Sequence, residues 1–184
     1  MEVTGRTTAY EGKYLRIVEK RVVTRTGTTR TWETVERSNV TGNGAVVVIA
    51  VTTEGELLFE KNWRVPTESY VIQFPAGLTD LDGESEEATA RRELLEETGY
   101  AAKEMIPVLV SPLSAALIRT RAMHFFAPGV EFAGKPTSSD IEDIEVIKVP
   151  VEKADEFMST LPEGVELDLQ VPGVLLMMRT KGLI

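Results

Sequence analysis

Apolar and polar positions alternate or cluster along the chain in a way that predicts a mixed α/β protein. Residues Ala45 to Val51 (AVVVIAV) form a continuous apolar run between turn signals. Such a run predicts a strand buried on both faces. A turn over Thr53 to Glu56 around Gly55 leads into Leu57 to Trp63 (LLFEKNW), predicted as a strand antiparallel to the first. Further strands are expected over Tyr70 to Phe74 (stopping at Pro75), Met105 to Val110, Ala122 to Ala127 and Ile141 to Val149. Upstream, Tyr14 to Arg25 and Thr28 to Arg37 alternate and are rich in β-branched residues, with Thr26-Gly27 between them. That pattern predicts a hairpin. Its faces are dense in Arg, Lys and Glu, so it has little core of its own. It is expected to pair with the rest of the chain or with a second subunit. Three helices are expected: Ser85 to Thr98, Pro150 to Thr160 and Val171 to Arg179. The first has Ser85 as N-cap, Glu86 and Glu87 in its first turn and Gly99 just past its end.

Composition narrows the function. At 184 residues the chain is long enough for one well-buried domain. With no cysteine it has no disulfide, zinc-thiolate site or thiol nucleophile, and its one histidine, His124, sits in an apolar strand. A formal charge of −9 disfavours nucleic-acid backbones and anionic membranes as partners. No apolar run approaches the roughly 20 residues that span a bilayer, and the first residues do not resemble a signal peptide. A cytoplasmic protein is expected. If its substrate is an anion, local arginines or divalent cations must supply positive charge.

Gly77 to Tyr100 (GLTDLDGESEEATARRELLEETGY) carries the chemistry. Glu93 and Glu97, four apart, stack on one helical face, and Glu96 flanks them. Either solvent and nearby arginines disperse this charge, or a cation such as Mg²⁺ or Mn²⁺ sits there. Leu94 and Leu95 are expected to anchor the helix to the core. The string resembles the Nudix box of the Nudix hydrolases, G-x5-E-x7-R-E-U-x-E-E-x-G-U with U apolar or aromatic. Glu84, Arg92, Glu93, Leu94, Glu96, Glu97, Gly99 and Tyr100 all match. One departure is that six residues, rather than five, separate Gly77 from Glu84. The resemblance implies that Glu93, Glu97 and the Ala76 carbonyl bind metal, usually Mg²⁺, with Glu96 assisting. It also implies that Arg92 and Glu84 form a bracing ion pair.

Flanking residues are similar to the ADP-ribose pyrophosphatase branch: FPAGL before the box, Arg64 in EKNWRVP, TRTWETVER in the hairpin and DIEDIEVIKVP near the C-terminal third. The resemblance implies an α/β/α Nudix fold over residues 44–184, preceded by a β segment over 1–43 that serves dimerisation and substrate contact. It implies hydrolysis of nucleoside diphosphate sugars, ADP-ribose foremost, by a homodimer with crossing N-terminal strands. It implies that Trp32 stacks on the base, that Arg37 and Arg64 hold phosphates and ribose, and that Glu142 is the catalytic base or a further ligand. Each also has a plainer role: covering the core, pairing with a neighbouring strand, or lining a solvated acidic loop. Loop Ser111 to Arg121 lacks the glycine common at that place in the branch. GDP-mannose hydrolysis and non-catalytic ADP-ribose sensing are the alternatives. His124 is expected in the core or at a dimer contact, and Trp63, Met177 and Met178 in packing.

Overall fold

The buried centre of the sheet is the AVVVIAV run. A computed structural model describes residues 1–137 and 143–184. In it this run lies within β4, Gly44–Thr52. Ala45, Val47 and Ile49 enter one apolar cluster, and Val46, Val48 and Ala50 enter another. Successive side chains on a strand point to opposite faces, so an unbroken apolar run means burial on both.

Preceding β4 are β1 (Glu2–Glu11), β2 (Leu15–Val23) and β3 (Thr29–Arg37). Following it are β5 (Glu56–Arg64), β6 (Ser69–Gln73) and β7 (Ala76–Leu78), then helix α1 (Glu86–Thr98). Then come β8 (Tyr100–Ala101), β9 (Ile106–Pro112), β10 (Arg121–Phe132) and β11 (Ile144–Pro150). A 3₁₀ turn at Val151–Lys153 leads to α2 (Ala154–Ser159), β12 (Val165–Leu167) and α3 (Gln170–Thr180). The main sheet runs β12-β6-β5-β4-β10-β8, with β11 on β5, β7 on β4 and β9 on β10. It is mixed: β4–β10 and β6–β12 are parallel, the other pairs antiparallel.

Helices cover both faces. Ala90 and Leu94 of α1 pack on the Val46, Val48 and Leu58 side. Ala154 of α2 and Val171, Val174, Leu175 and Met178 of α3 pack on the Val47, Ile49 and Phe59 side. This is the expected α/β/α layering. Of the two expected anchors only Leu94 is buried; Leu95 is exposed, because adjacent helical residues point about 100° apart. Met178 is buried, whereas Trp63 is partly exposed and packs edge-on against Tyr70.

The expected hairpin is β2–β3, but it is two strands of a three-stranded sheet. β1 adds an edge to β2. Nearly every β1 residue is exposed, so it lacks the in-out alternation that marks a half-buried strand. The small sheet meets the rest of the chain at Val35, whose N–H donates to Leu117 O (2.9 Å) and whose carbonyl accepts from Arg119 N–H (3.1 Å). Buried Glu36 gathers Arg16 (3.2 Å) and Lys20 (3.3 Å) from β2 and Arg6 (3.7 Å) from β1. Residues 141 and 142 of the expected strand Ile141 to Val149 lie outside the described residues; the strand starts at Ile144.

Candidate active site

Helix α1 presents the carboxylates, and its ends are well fixed. Ser85 accepts from Ala88 N–H at the start, and Gly99, left-handed at φ 76°, donates to Leu95 O at the end. The bracing ion pair is present. Arg92 grips Glu84 with two hydrogen bonds of 3.1 Å each, and Thr89 adds a third at 2.9 Å. The Arg92 guanidinium holds the Glu84 carboxyl below its ordinary range. The extra residue between Gly77 and Glu84 is taken up by a turn, with Glu84 N–H on Leu81 O at 3.2 Å, so the brace survives the longer loop.

The three glutamates differ sharply. Glu96 is exposed in part and held by Arg92 Nη1 at 3.0 Å; the same nitrogen donates to Glu93 at 2.9 Å. The Glu93 carboxyl lies against Gly77, where a β-carbon would collide with it. Glu97 is 5% exposed, and its Oε2 accepts from Ala76 N–H at 3.0 Å. Ala76 on β7, just before the box, and the box helix are therefore joined directly.

Glu97 faces a residue that the sequence reading passed over. Glu60 of β5 is fully buried, and its carboxyl interacts with that of Glu97. Burial, then the Glu60 charge and hydrogen bond, push the Glu97 carboxyl far above the usual carboxylate range. Two buried carboxyls in contact need a proton or a cation between them. An all-oxygen donor set of Glu93, Glu97 and a backbone carbonyl suits a hard divalent cation. Among the described residues, no three acidic side chains converge into a ready-made cage. Arg92 draws Glu93 and Glu96 to itself, and Mg²⁺ retains several waters, so it needs few protein ligands. The signal for Glu60 was a charged residue inside LLFEKNW, and for its neighbour Gln73 an amide inside YVIQFP.

A cleft of about 650 Å³ opens beside these carboxylates. Ala76, Gly77 and Glu93 line it, together with Arg37 from the end of β3 and Arg64 from the end of β5. Both predicted arginines therefore reach one cavity with the box. Trp32 is not among its lining residues: it is exposed on β3, and its indole N–H donates to Ala116 O at 3.1 Å. Glu142 lies outside the described residues. The residues either side of that segment are tied to the site region: Thr137 N–H donates to Glu96 O at 2.8 Å, and Asp143 accepts from the Tyr70 hydroxyl at 2.6 Å. His124 is fully buried, one of its two expected placements, and burial pushes its pKa below the ordinary value.

The NUDIX domain pattern matches residues 42–166. The chain belongs to the Nudix family. It is 35% identical over 159 residues to mouse ADP-sugar pyrophosphatase, a match covering 80% of this chain and 72% of the mouse protein. It is also 35% identical over 120 residues to ADP-ribose pyrophosphatase of Bacillus subtilis (strain 168), covering 65% of this chain and 64% of that protein. Among solved structures, one described as an ADP compounds hydrolase superposes with a TM-score of 0.76 over 98% of this chain and 92% of its own, at 18% identity. This Nudix chain thus shares its fold almost end to end with that structure, including the N-terminal sheet.

Proposed function

We propose that this Nudix chain hydrolyses the pyrophosphate bond of nucleoside diphosphate sugars, with ADP-ribose the leading substrate, to a nucleoside monophosphate and a sugar phosphate. The observation that carries the reading is the shared cleft: Arg37 and Arg64 line the same cavity as Glu93, Ala76 and Gly77. The relatives named for ADP-sugar and ADP-ribose hydrolysis support the same substrate class.

Guanidinium forks suit phosphate oxygens, so Arg37 and Arg64 orient the diphosphate against α1. Glu93, Glu97 and the Ala76 carbonyl would hold Mg²⁺, with Mn²⁺ as a substitute and Glu96 assisting. Bound there, the ion supplies countercharge to the diphosphate and makes water more acidic. In the reaction, water adds to one phosphorus while its bond to the bridging oxygen breaks, and that oxygen leaves with the other phosphate. Glu142 is the proposed acceptor of the water's proton. The enzyme is proposed to work as a homodimer, in which the exposed face of Trp32 stacks on the nucleobase, a contact worth about 1–3 kcal/mol. The cytoplasm is its proposed compartment.

The test is a hydrolysis panel with and without Mg²⁺: ADP-ribose, GDP-mannose, UDP-glucose, NADH, diadenosine polyphosphate and dGTP, with products separated by chromatography. Cleavage of ADP-ribose ahead of GDP-mannose, to the two monophosphates and only with Mg²⁺, is the expected result. Preference for GDP-mannose would move the substrate. Tight ADP-ribose binding without turnover would make the chain a sensor. Glu97→Gln is expected to lower turnover at least about 100-fold without unfolding the chain.

A further inference from the structure

A buried polar chain links the arginine in the cleft to the glutamate on the helix. Glu60 and Gln73 stand opposite each other on β5 and β6. Both are buried, Gln73 at 4% exposure. Arg64 Nε donates to Gln73 Oε1 at 2.8 Å, and Gln73 Nε2 donates to Glu60 Oε2 at 3.2 Å. The Glu60 carboxyl in turn interacts with that of Glu97, which accepts from Ala76 N–H at 3.0 Å. The amide has one accepting and one donating end, whereas Arg64 only donates and a carboxylate only accepts. Both neighbours therefore demand the same amide orientation. Arg64 keeps the oxygen turned outward and the NH₂ turned toward Glu60. Reversing the amide would set its oxygen against a carboxylate oxygen, in a place with little water to relieve it.

We propose that Gln73 is a positioning residue that couples Arg64 in the cleft to the metal-holding Glu97, with Arg64 locking the amide and the amide holding Glu60 against Glu97. This rests on the reading of Glu97 as metal ligand and of Arg64 as substrate contact. Because coupling is reciprocal, an anion that pulls on Arg64 and a cation that loads Glu97 sense each other through the side-chain chain as well as through space.

Through-space charge and the hydrogen-bonded chain predict opposite signs, which makes the test sharp. Removing the Arg64 charge should tighten binding of a nearby cation by Coulomb's law alone. Releasing the amide should weaken it. The experiment measures Mn²⁺ binding to the full chain by electron paramagnetic resonance, with no nucleotide present, for wild type, Arg64→Ala, Gln73→Leu and the double variant. Arg64 is exposed, so its replacement leaves the core intact, and an unchanged melting temperature in EDTA verifies that. Arg64→Ala is expected to weaken Mn²⁺ binding about 3- to 10-fold. In the Gln73→Leu background the same change is expected to produce no further weakening. Unchanged or tighter Mn²⁺ binding by Arg64→Ala overturns the coupling, and does so even if Gln73→Leu does not fold. Equal weakening by Arg64→Ala in both backgrounds also overturns it. A wild-type chain that binds no Mn²⁺ overturns the metal assignment and the coupling together, a result distinct from wild-type binding that Arg64→Ala leaves untouched.

Discussion

Two glycines of the box are required for different reasons. At Gly77 an added β-carbon meets the carboxyl of Glu93, the movable end of a flexible side chain. At Gly99 it meets the backbone carbonyl of Gly134, at a left-handed φ of 76°. Gly77→Ala should therefore displace Glu93 at little cost to the fold. The Mg²⁺ concentration for half-maximal activity is expected to rise at least about 10-fold while the melting temperature moves only slightly; an unaltered Mg²⁺ requirement would remove Gly77 from the site. Glu97 carries a second prediction. Its folded pKa is raised above the unfolded value by burial and by Glu60. The metal-free protein is therefore most favoured below the unfolded value of 4.5 and loses that contribution as pH rises. A bound cation takes the place of the proton. The increase in melting temperature on adding Mg²⁺ should thus be larger at pH 8 than at pH 5, read by differential scanning fluorimetry. An equal increase at both would show that the Glu97–Glu60 contact has no part in metal binding.

At the scale of the element, α1 was the most legible part of the chain. Its N-cap serine, acidic first turn and terminal glycine are local signals that act within a turn or two of the helix, so no tertiary partner is needed to read them. Its faces were less legible. A charged helix reads as solvated, yet Glu97 points inward beside Leu94 because Glu60 of β5 and the Ala76 N–H of β7 offer polar partners there. The Glu84–Arg92 brace ties the loop to this helix. Glu84→Gln should destabilise the chain by about 2 kcal/mol at neutral pH, measured by urea denaturation. The folded pKa of Glu84 is depressed, so its contribution is present above the unfolded value of 4.5 and disappears as pH falls through the folded value. Wild type and variant should converge in stability there. A difference that persists at acid pH would assign the effect to packing.

For the whole molecule, the N-terminal sheet is the part least able to stand alone. Its apolar residues Val3, Tyr10, Tyr14 and Ile17 are exposed in the single chain, and it meets the rest of the chain through a short contact at Val35. A two-fold partner would cover such a surface. Sedimentation of the full chain is expected to give the dimer mass, and removal of residues 1–37 a monomer without activity. A dimer that persists after truncation would place the interface elsewhere.

The sequence by itself determined the elements whose signals are local: the doubly buried strand at Ala45 to Val51, the capped helix, and Glu93, Glu96 and Glu97, whose spacing follows the helical repeat; Glu84 and Arg92 came with the box motif. It also led to Arg37 and Arg64, through motifs flanking the box. Tertiary structure alone decided what depends on register between distant segments. Strand pairing set Glu60 against Gln73, and helix packing brought Glu97 beside Glu60 and the Ala76 N–H. An exposed edge strand such as β1 owes its existence to backbone hydrogen bonds with β2, which leave no hydrophobic period to read. A polar residue inside an apolar strand announces only that it has a partner. Which partner it has is fixed by the fold, because hydrogen bonds between buried side chains require positions that no single segment contains.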